Sequence, residues 1–162
     1  MGDYYTEQLV KRKTPASAYV IMGGLALMTT IAVLAMLLFP FGILIVVIAG
    51  VIDYFVFRGL NVEYEYLYVN GNLDIDKIMS KSKRKRIFEM AINDMELIAP
   101  KGAAQLHGFQ NIKATDFSSG MSDARLYEMI VVKSGAKQRI VFEPDDVILE
   151  GMRMLAPRKV IK

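Results

Sequence analysis

The chain of 162 residues contains no cysteine. That absence excludes disulfides, thiolate zinc sites, iron–sulfur clusters and a cysteine nucleophile, and it fits any redox compartment. Histidine occurs once, as His107 in "QLHGF". One imidazole cannot supply the set of two or more such ligands typical of zinc or iron sites. No G-x-S-x-G elbow, P-loop or G-x-G-x-x-G is present, so the common nucleophile and phosphate-cradling motifs are missing too. Charge is absent from the 39 positions between Lys13 and Asp53. Downstream of them, from Arg58 onward, 17 Lys and Arg face 14 Asp and Glu. Such a mild excess is no global footprint for nucleic acid; only a local one remains.

Most of the uncharged stretch, continuing past Asp53 to Phe57, is "ASAYVIMGGLALMTTIAVLAMLLFPFGILIVVIAGVIDYFVF". It is too long for one helix and suits two. At ~1.5 Å per residue, Ser17 to Phe39 reaches roughly 34 Å, enough for a hydrocarbon core of ~30 Å. Phe41 to Phe57 gives about 25 Å, which spans if flanking residues snorkel or the bilayer thins. Pro40, followed by Gly42, breaks the helix because proline lacks the N–H and disfavours helix in the residue before it. A cleaved signal peptide has a shorter apolar core and no second run behind it. A buried hairpin of a soluble protein is the other alternative, but helices apolar all round argue for lipid. The tight turn leaves nothing sizeable beyond it, so both ends face one side. Lys11, Arg12 and Lys13 precede the first run and Arg58 closes the second; the positive-inside rule puts these ends in the cytoplasm. Asp53, Tyr54 and Arg58 are candidate interface anchors. Asp53 is expected to reach interfacial water or to pair with a cation. Gly23-Gly24 and Ala49-Gly50 are expected to let the two helices approach closely.

Strand signals follow at once. "VEYEYLYV" (62–69) alternates, Asn70-Gly71 is a type I′ hairpin signal, and "NLDIDKIM" (72–79) returns. The Tyr64/Tyr66/Tyr68 stripe is expected either to pack the domain interior or to sit at headgroup level, and Tyr64 and Tyr66 join the candidate anchors. A basic run then places Lys81, Lys83, Arg84, Lys85 and Arg86 within six positions, as a candidate patch for anionic lipid or a partner; a solvated hairpin is the plain alternative. "RIFEMAI" and "MELIAP" continue the strand pattern. Residues 101–124 read mostly as loop, with a short strand near 111–115 and a flexible "DFSSG". "RLYEMIVVK" and "KQRIVFE" form a second hairpin. At the C-terminus Pro144 suits a first helical position and Asp145-Asp146 suit the positive end of a helix dipole. Val147, Ile148, Met152 and Leu155 are the expected packing face. Asp74 and Asp76 lie in a strand pattern rather than in a calcium loop.

This order of elements resembles a bacterial pleckstrin-homology-like (PH-like) domain. "YEYLYVNGNLDIDKIMSKSKRKR" and "ELIAP", after a short membrane hairpin, resemble an uncharacterised family of small two-span bacterial membrane proteins. The family has no assigned activity, so no functional residue carries over. The expected fold is α+β: an N-terminal transmembrane hairpin, then a PH-like antiparallel β-barrel or sandwich capped by a C-terminal helix. Residues 1–16 are expected as a basic cytoplasmic segment and 17–58 as the hairpin, turning near 40–42. Residues 59–162 are expected as the cytoplasmic β-domain, closed by a helix over about 144–156. The expected function is a non-enzymatic, membrane-anchored module at the inner leaflet of the bacterial cytoplasmic membrane. It binds a protein partner or anionic lipid headgroups; the alternative is an accessory subunit of a larger membrane complex. No catalytic residue, cofactor, metal or nucleic-acid partner is expected, and homo-oligomerisation is open.

Overall fold

The computed structural model describes residues 4–162. Strand β1 (Tyr5–Lys11) precedes helices α1 (Ala16–Met36) and α2 (Gly42–Leu60). Then come β2 (Val62–Val69), β3 (Asn72–Met79), β4 (Lys83–Ala91), β5 (Met95–Pro100), a 3-10 segment at Ala104–Phe109 and β6 (Ala114–Asp116). Strands β7 (Tyr127–Lys133) and β8 (Ala136–Phe142) and helix α3 (Asp146–Leu155) complete the chain.

Both α1 and α2 are long and apolar enough to cross a membrane, with mean hydropathies of 2.0 and 2.2 over their best windows. Their only shielded stripe is the one each turns to the other. In α1 it comprises Ala18, Met22, Leu25, Thr29, Ala32 and Ala35; in α2, Gly42, Val46, Ala49, Asp53, Val56 and Leu60. Steps of three and four residues are those of an antiparallel coiled-coil seam. Gly42 belongs at the turn because a β-carbon there would collide with the Met36 backbone. The expectation for the other small residues needs correcting. Ala49 lies in the seam, whereas Gly23, Gly24 and Gly50 face outward, where an added methyl group would meet nothing within 4 Å.

Residues 5–11 are not a separate N-terminal segment. They form β1, antiparallel to β2 in the register Tyr5↔Val69 to Lys11↔Glu63. The strand was hidden by its short polar alternation, and its partner lies beyond the whole hairpin. The first sheet runs β1-β2-β3-β4 and the second β5-β7-β8-β6. Neither closes into a barrel, and β6 pairs with β8 in parallel, so the domain is not wholly antiparallel. Asn70 (φ 48°) and Gly71 (φ 91°) make the positive-φ turn that joins β2 to β3.

The inner faces of the sheets share one core with α3. It includes Tyr64, Tyr66, Tyr68, Leu73, Ile75, Phe88, Met129, Val131, Ile140 and Phe142, closed by Ile148, Leu149 and Met152. Helix α3 starts two residues later than Pro144 suggested, because the Asp145 carboxylate accepts a 2.7 Å hydrogen bond from the Ile148 N–H as its N-cap. Its packed face also differs from expectation. Ile148, Leu149, Gly151 and Met152 are buried, while Val147 and Leu155 are exposed. Gly151 sets that rotation: the Tyr4 and Tyr68 rings lie so close that no side chain fits there. The C-terminal tail adds to the free edge of β5, where the Ile98 N–H donates to the Lys159 carbonyl at 2.8 Å and the Ile161 N–H to the Ile98 carbonyl at 2.9 Å.

Candidate functional site

Pairing of β1 with β2 brings both ends of the hairpin to one place, because one strand enters α1 and the other leaves α2. The Arg12 N–H donates to the Val62 carbonyl at 3.0 Å, and the Lys13 N–H donates to the Ser119 carbonyl at 2.7 Å. At this base the Arg12 guanidinium donates to the Tyr64 hydroxyl at 2.6 Å.

The turn between β3 and β4 packs on the last turn of α2. Ser80 (φ 50°) and Lys81 (φ 56°) both adopt left-handed backbone, which folds the turn back toward the helix. The Ser80 N–H donates to the Asn61 carbonyl at 2.9 Å. The Ser80 hydroxyl donates to the Arg58 carbonyl at 2.6 Å, so two carbonyls at the helix end are satisfied. In return Arg58 donates through Nη2 to the Ser82 hydroxyl at 2.6 Å and through Nη1 to the Tyr54 hydroxyl at 2.8 Å. Tyr54, Phe57, Arg58, Asn61, Ser80 and Ser82 line an open cleft of about 590 Å³.

The basic run divides into two chemically different sets. β4 begins at Lys83, inside the run, so alternate side chains face opposite ways. Arg84 pairs with Glu65, and with Asp76 at 3.0 Å. Arg86 pairs with Asp74 at 2.9 Å and with Asp76 at 3.5 Å. Glu65 and Asp76 are buried, so these arginines neutralise carboxylates of β2 and β3. Lys81, Lys83 and Lys85 are exposed and carry no ion pair among the described residues. They, not the arginines, are the part of the run open to an anion.

Asp53 is corrected as an interface anchor. It lies in the helix seam and accepts a 2.6 Å hydrogen bond from the Thr29 hydroxyl of α1, because the heptad spacing turns both side chains inward. Tyr64 and Tyr66 are corrected as well: they are 3% and 0% exposed and pack the core. Of the candidate anchors, Tyr54 and Arg58 stand together at the base. The Tyr66 hydroxyl donates to the Phe117 carbonyl at 2.7 Å and accepts from the Glu143 N–H at 3.3 Å. Burial raises its pKa well above the ordinary tyrosine value. Burial likewise pushes the Tyr68 hydroxyl up to about 12, and that hydroxyl has no hydrogen-bond partner among the described residues.

The middle of the "DFSSG" segment, Phe117 to Ser119, is buried rather than loose. Ser119 donates to the Glu143 carboxylate through its hydroxyl at 2.8 Å and through its N–H at 2.9 Å. Asp146 pairs with Arg125 at 2.8 Å. His107 is exposed on the 3-10 segment. Among the described residues, no group of three or more His, Asp or Glu side chains is gathered to hold a metal ion.

One contact was accessible to sequence reasoning: the alternation of 62–69 and 72–79 about Asn70-Gly71 sets Glu65 opposite Asp76. The pairing of Arg84 and Arg86 with those acids was not accessible, because the register shifts at Ile75/Asp76. A search of curated proteins and of solved structures finds no match. A family model does match, over residues 2–162. The two-sheet β-domain with its closing helix agrees with the PH-like description, and the chain belongs to the bacterial PH-like domain family DUF6106, a domain of unknown function.

Proposed function

We propose that the protein is a non-enzymatic, membrane-anchored module of the bacterial cytoplasmic membrane. In this reading α1 and α2 span the bilayer, both termini and the β-domain lie in the cytoplasm, and the base of the domain meets anionic lipid headgroups. The observation that carries it is the docking of the β3–β4 turn on the last turn of α2 through Ser80, Arg58 and Ser82. A spanning α2 places that turn, with Lys81, Lys83 and Lys85, at the depth of the headgroups. Lys11, Arg12, Lys13 and Arg58 mark the same end of both helices, which supports a cytoplasmic base. Near an anionic leaflet each lysine contributes about 1 kcal/mol, fading within a Debye length. Two apolar spans already hold the protein, so the lysines orient the domain rather than attach it.

The test uses the full chain in nanodiscs of phosphatidylglycerol or phosphatidylcholine, with amide exchange followed over residues 80–86. Slower exchange is expected in phosphatidylglycerol, and replacing Lys81, Lys83 and Lys85 together by Gln abolishes the difference. Equal exchange in the two lipids refutes the headgroup reading. Release of the chain from vesicles by alkaline carbonate refutes the spanning hairpin itself.

A second reading, an accessory subunit of a larger membrane complex, is supported by the outward notches at Gly23, Gly24 and Gly50. Small residues on a free helix face allow another helix to approach closely. A stoichiometric integral-membrane partner purifying with the chain in mild detergent favours this reading.

A further inference from the structure

The cleft between the end of α2 and the β3–β4 turn has the chemistry of a specific ligand site, not merely of a charged surface. Arg58 stands at its centre. Its guanidinium has five N–H donors, and among the described residues two hydrogen bonds engage them, to Tyr54 and Ser82. Those two bonds hold the guanidinium in the cleft lining, and its remaining donors are not engaged by the described residues. Ser82 accepts from Arg58, so its own O–H is available to donate, and the Asn61 amide stands in the same lining. The Ser80 hydroxyl is occupied by the Arg58 carbonyl. That bond matters, because a helix C-terminus carries roughly half a negative charge that would repel an anion; Ser80 covers the carbonyl and Arg58 offsets the charge. Among the described residues, no carboxylate lines the cleft. Lys81 and Lys83 flank Ser82 in the chain and make the local potential more positive. The rest of the wall is aromatic: Tyr54 and Phe57 are 58% and 39% exposed on the helix side. A polar, cationic end beside an apolar wall fits a molecule with a phosphate at one end and hydrocarbon at the other.

We propose that this cleft binds one anionic glycerophospholipid, with its phosphate held by Arg58, Ser82 and Asn61 and its acyl chains lying along Tyr54 and Phe57. The proposal rests on the spanning reading of the hairpin, since only then does lipid reach the cleft from the bilayer. A planar guanidinium fork grips phosphate bidentately, which an ammonium does not.

The experiment is native mass spectrometry of the full chain in mild detergent, titrated with phosphatidylglycerol or phosphatidylcholine. One phosphatidylglycerol is expected to bind, with at least tenfold preference over phosphatidylcholine. Arg58→Gln removes that preference, Arg58→Lys restores part of it, and Lys133→Gln, distant from the cleft, leaves it intact. Asn61→Ala weakens binding several-fold while keeping Arg58 and the turn in place, so the site remains testable if Arg58→Gln disturbs the fold. Unchanged binding in both Arg58→Gln and Asn61→Ala overturns the proposal. Displacement of the lipid by millimolar inorganic phosphate also overturns it, by showing that free phosphate is the ligand. Alkaline extraction from vesicles separates the two levels: a chain that resists extraction yet shows no lipid preference loses only the cleft, whereas an extracted chain loses the spanning reading as well.

Discussion

The same substitution at two neighbouring inward positions of β2 is expected to lower stability at one and not at the other. Tyr66 and Tyr68 lie on one face of the strand, and both are fully buried. Their hydroxyls meet different fates. That of Tyr66 bridges the Phe117 carbonyl at 2.7 Å and the Glu143 N–H at 3.3 Å. Tyr66→Phe leaves two backbone groups in the core without their partner. A buried polar group so orphaned costs about 1–3 kcal/mol; the 3.3 Å bond is the weaker, so the expected loss is about 1–2 kcal/mol. For a domain of this size each kcal/mol corresponds to about 4–8 °C in Tm. The Tyr68 hydroxyl has no partner among the described residues, so its desolvation is uncompensated. Tyr68→Phe keeps the edge-on ring contact with Tyr4, 5.9 Å between centroids, and removes the orphan. Its stability is expected to equal the parent or exceed it by up to about 2 kcal/mol. The assay is thermal unfolding of the full chain in mild detergent, followed by near-ultraviolet circular dichroism, since the apolar helices dominate the far ultraviolet. Equal losses in the two variants, or a larger loss for Tyr68→Phe, would refute the reasoning.

The remaining predictions concern pH and ion pairs. Burial raises the folded-state pKa of both tyrosines above 10. The unfolded chain therefore releases these protons first as pH rises, so the stability they support is intact below pH 10 and declines above it. Urea midpoints at pH 8, 10 and 11.5 test this, and Tyr66→Phe should flatten the alkaline fall. In the second sheet Arg139 grips buried Glu128 with two bonds, at 2.8 and 3.0 Å. Arg139→Met strands that carboxylate and is expected to cost about 3–5 kcal/mol in denaturant titration. Within the basic run, Arg84→Ala should lower Tm by leaving buried Glu65 without its cation and Asp76 with only the 3.5 Å contact to Arg86. Lys83→Ala should leave Tm within about 4 °C, in keeping with a surface change of about 0.5 kcal/mol or less.

Much of the architecture was legible because its signals are local. A 39-residue gap without charge, broken at Pro40, describes two helices from composition alone. Period-two alternation about Asn70-Gly71 describes a hairpin. Strand β1 was not legible, since its pairing depends on residues 52 to 64 positions away, beyond the hairpin. The candidate site was legible as a run of charge but not as a set of roles. Five cations in "KSKRKR" look alike in one dimension; a strand that starts at Lys83 turns Arg84 and Arg86 toward acids and leaves Lys81, Lys83 and Lys85 to solvent. Arg58 likewise reads in sequence as the cation that closes the second apolar run and a candidate interface anchor, and only the folded turn brings Ser80 and Ser82 to it.

Taken by itself, the amino-acid order determined which segments are apolar, which alternate and where the chain must turn, because those properties depend on neighbours within a few residues. It also determined that Tyr64, Tyr66 and Tyr68 share one face. The tertiary structure decided where that face points, and it chose the core. It decided that Asp53 meets Thr29 across a heptad seam instead of interfacial water. It decided, too, that the open basic surface is a set of lysines beside an arginine-centred cleft. Each of these outcomes depends on which distant strand or helix lies opposite, and burial and ion pairing are properties of that opposition rather than of the residue alone.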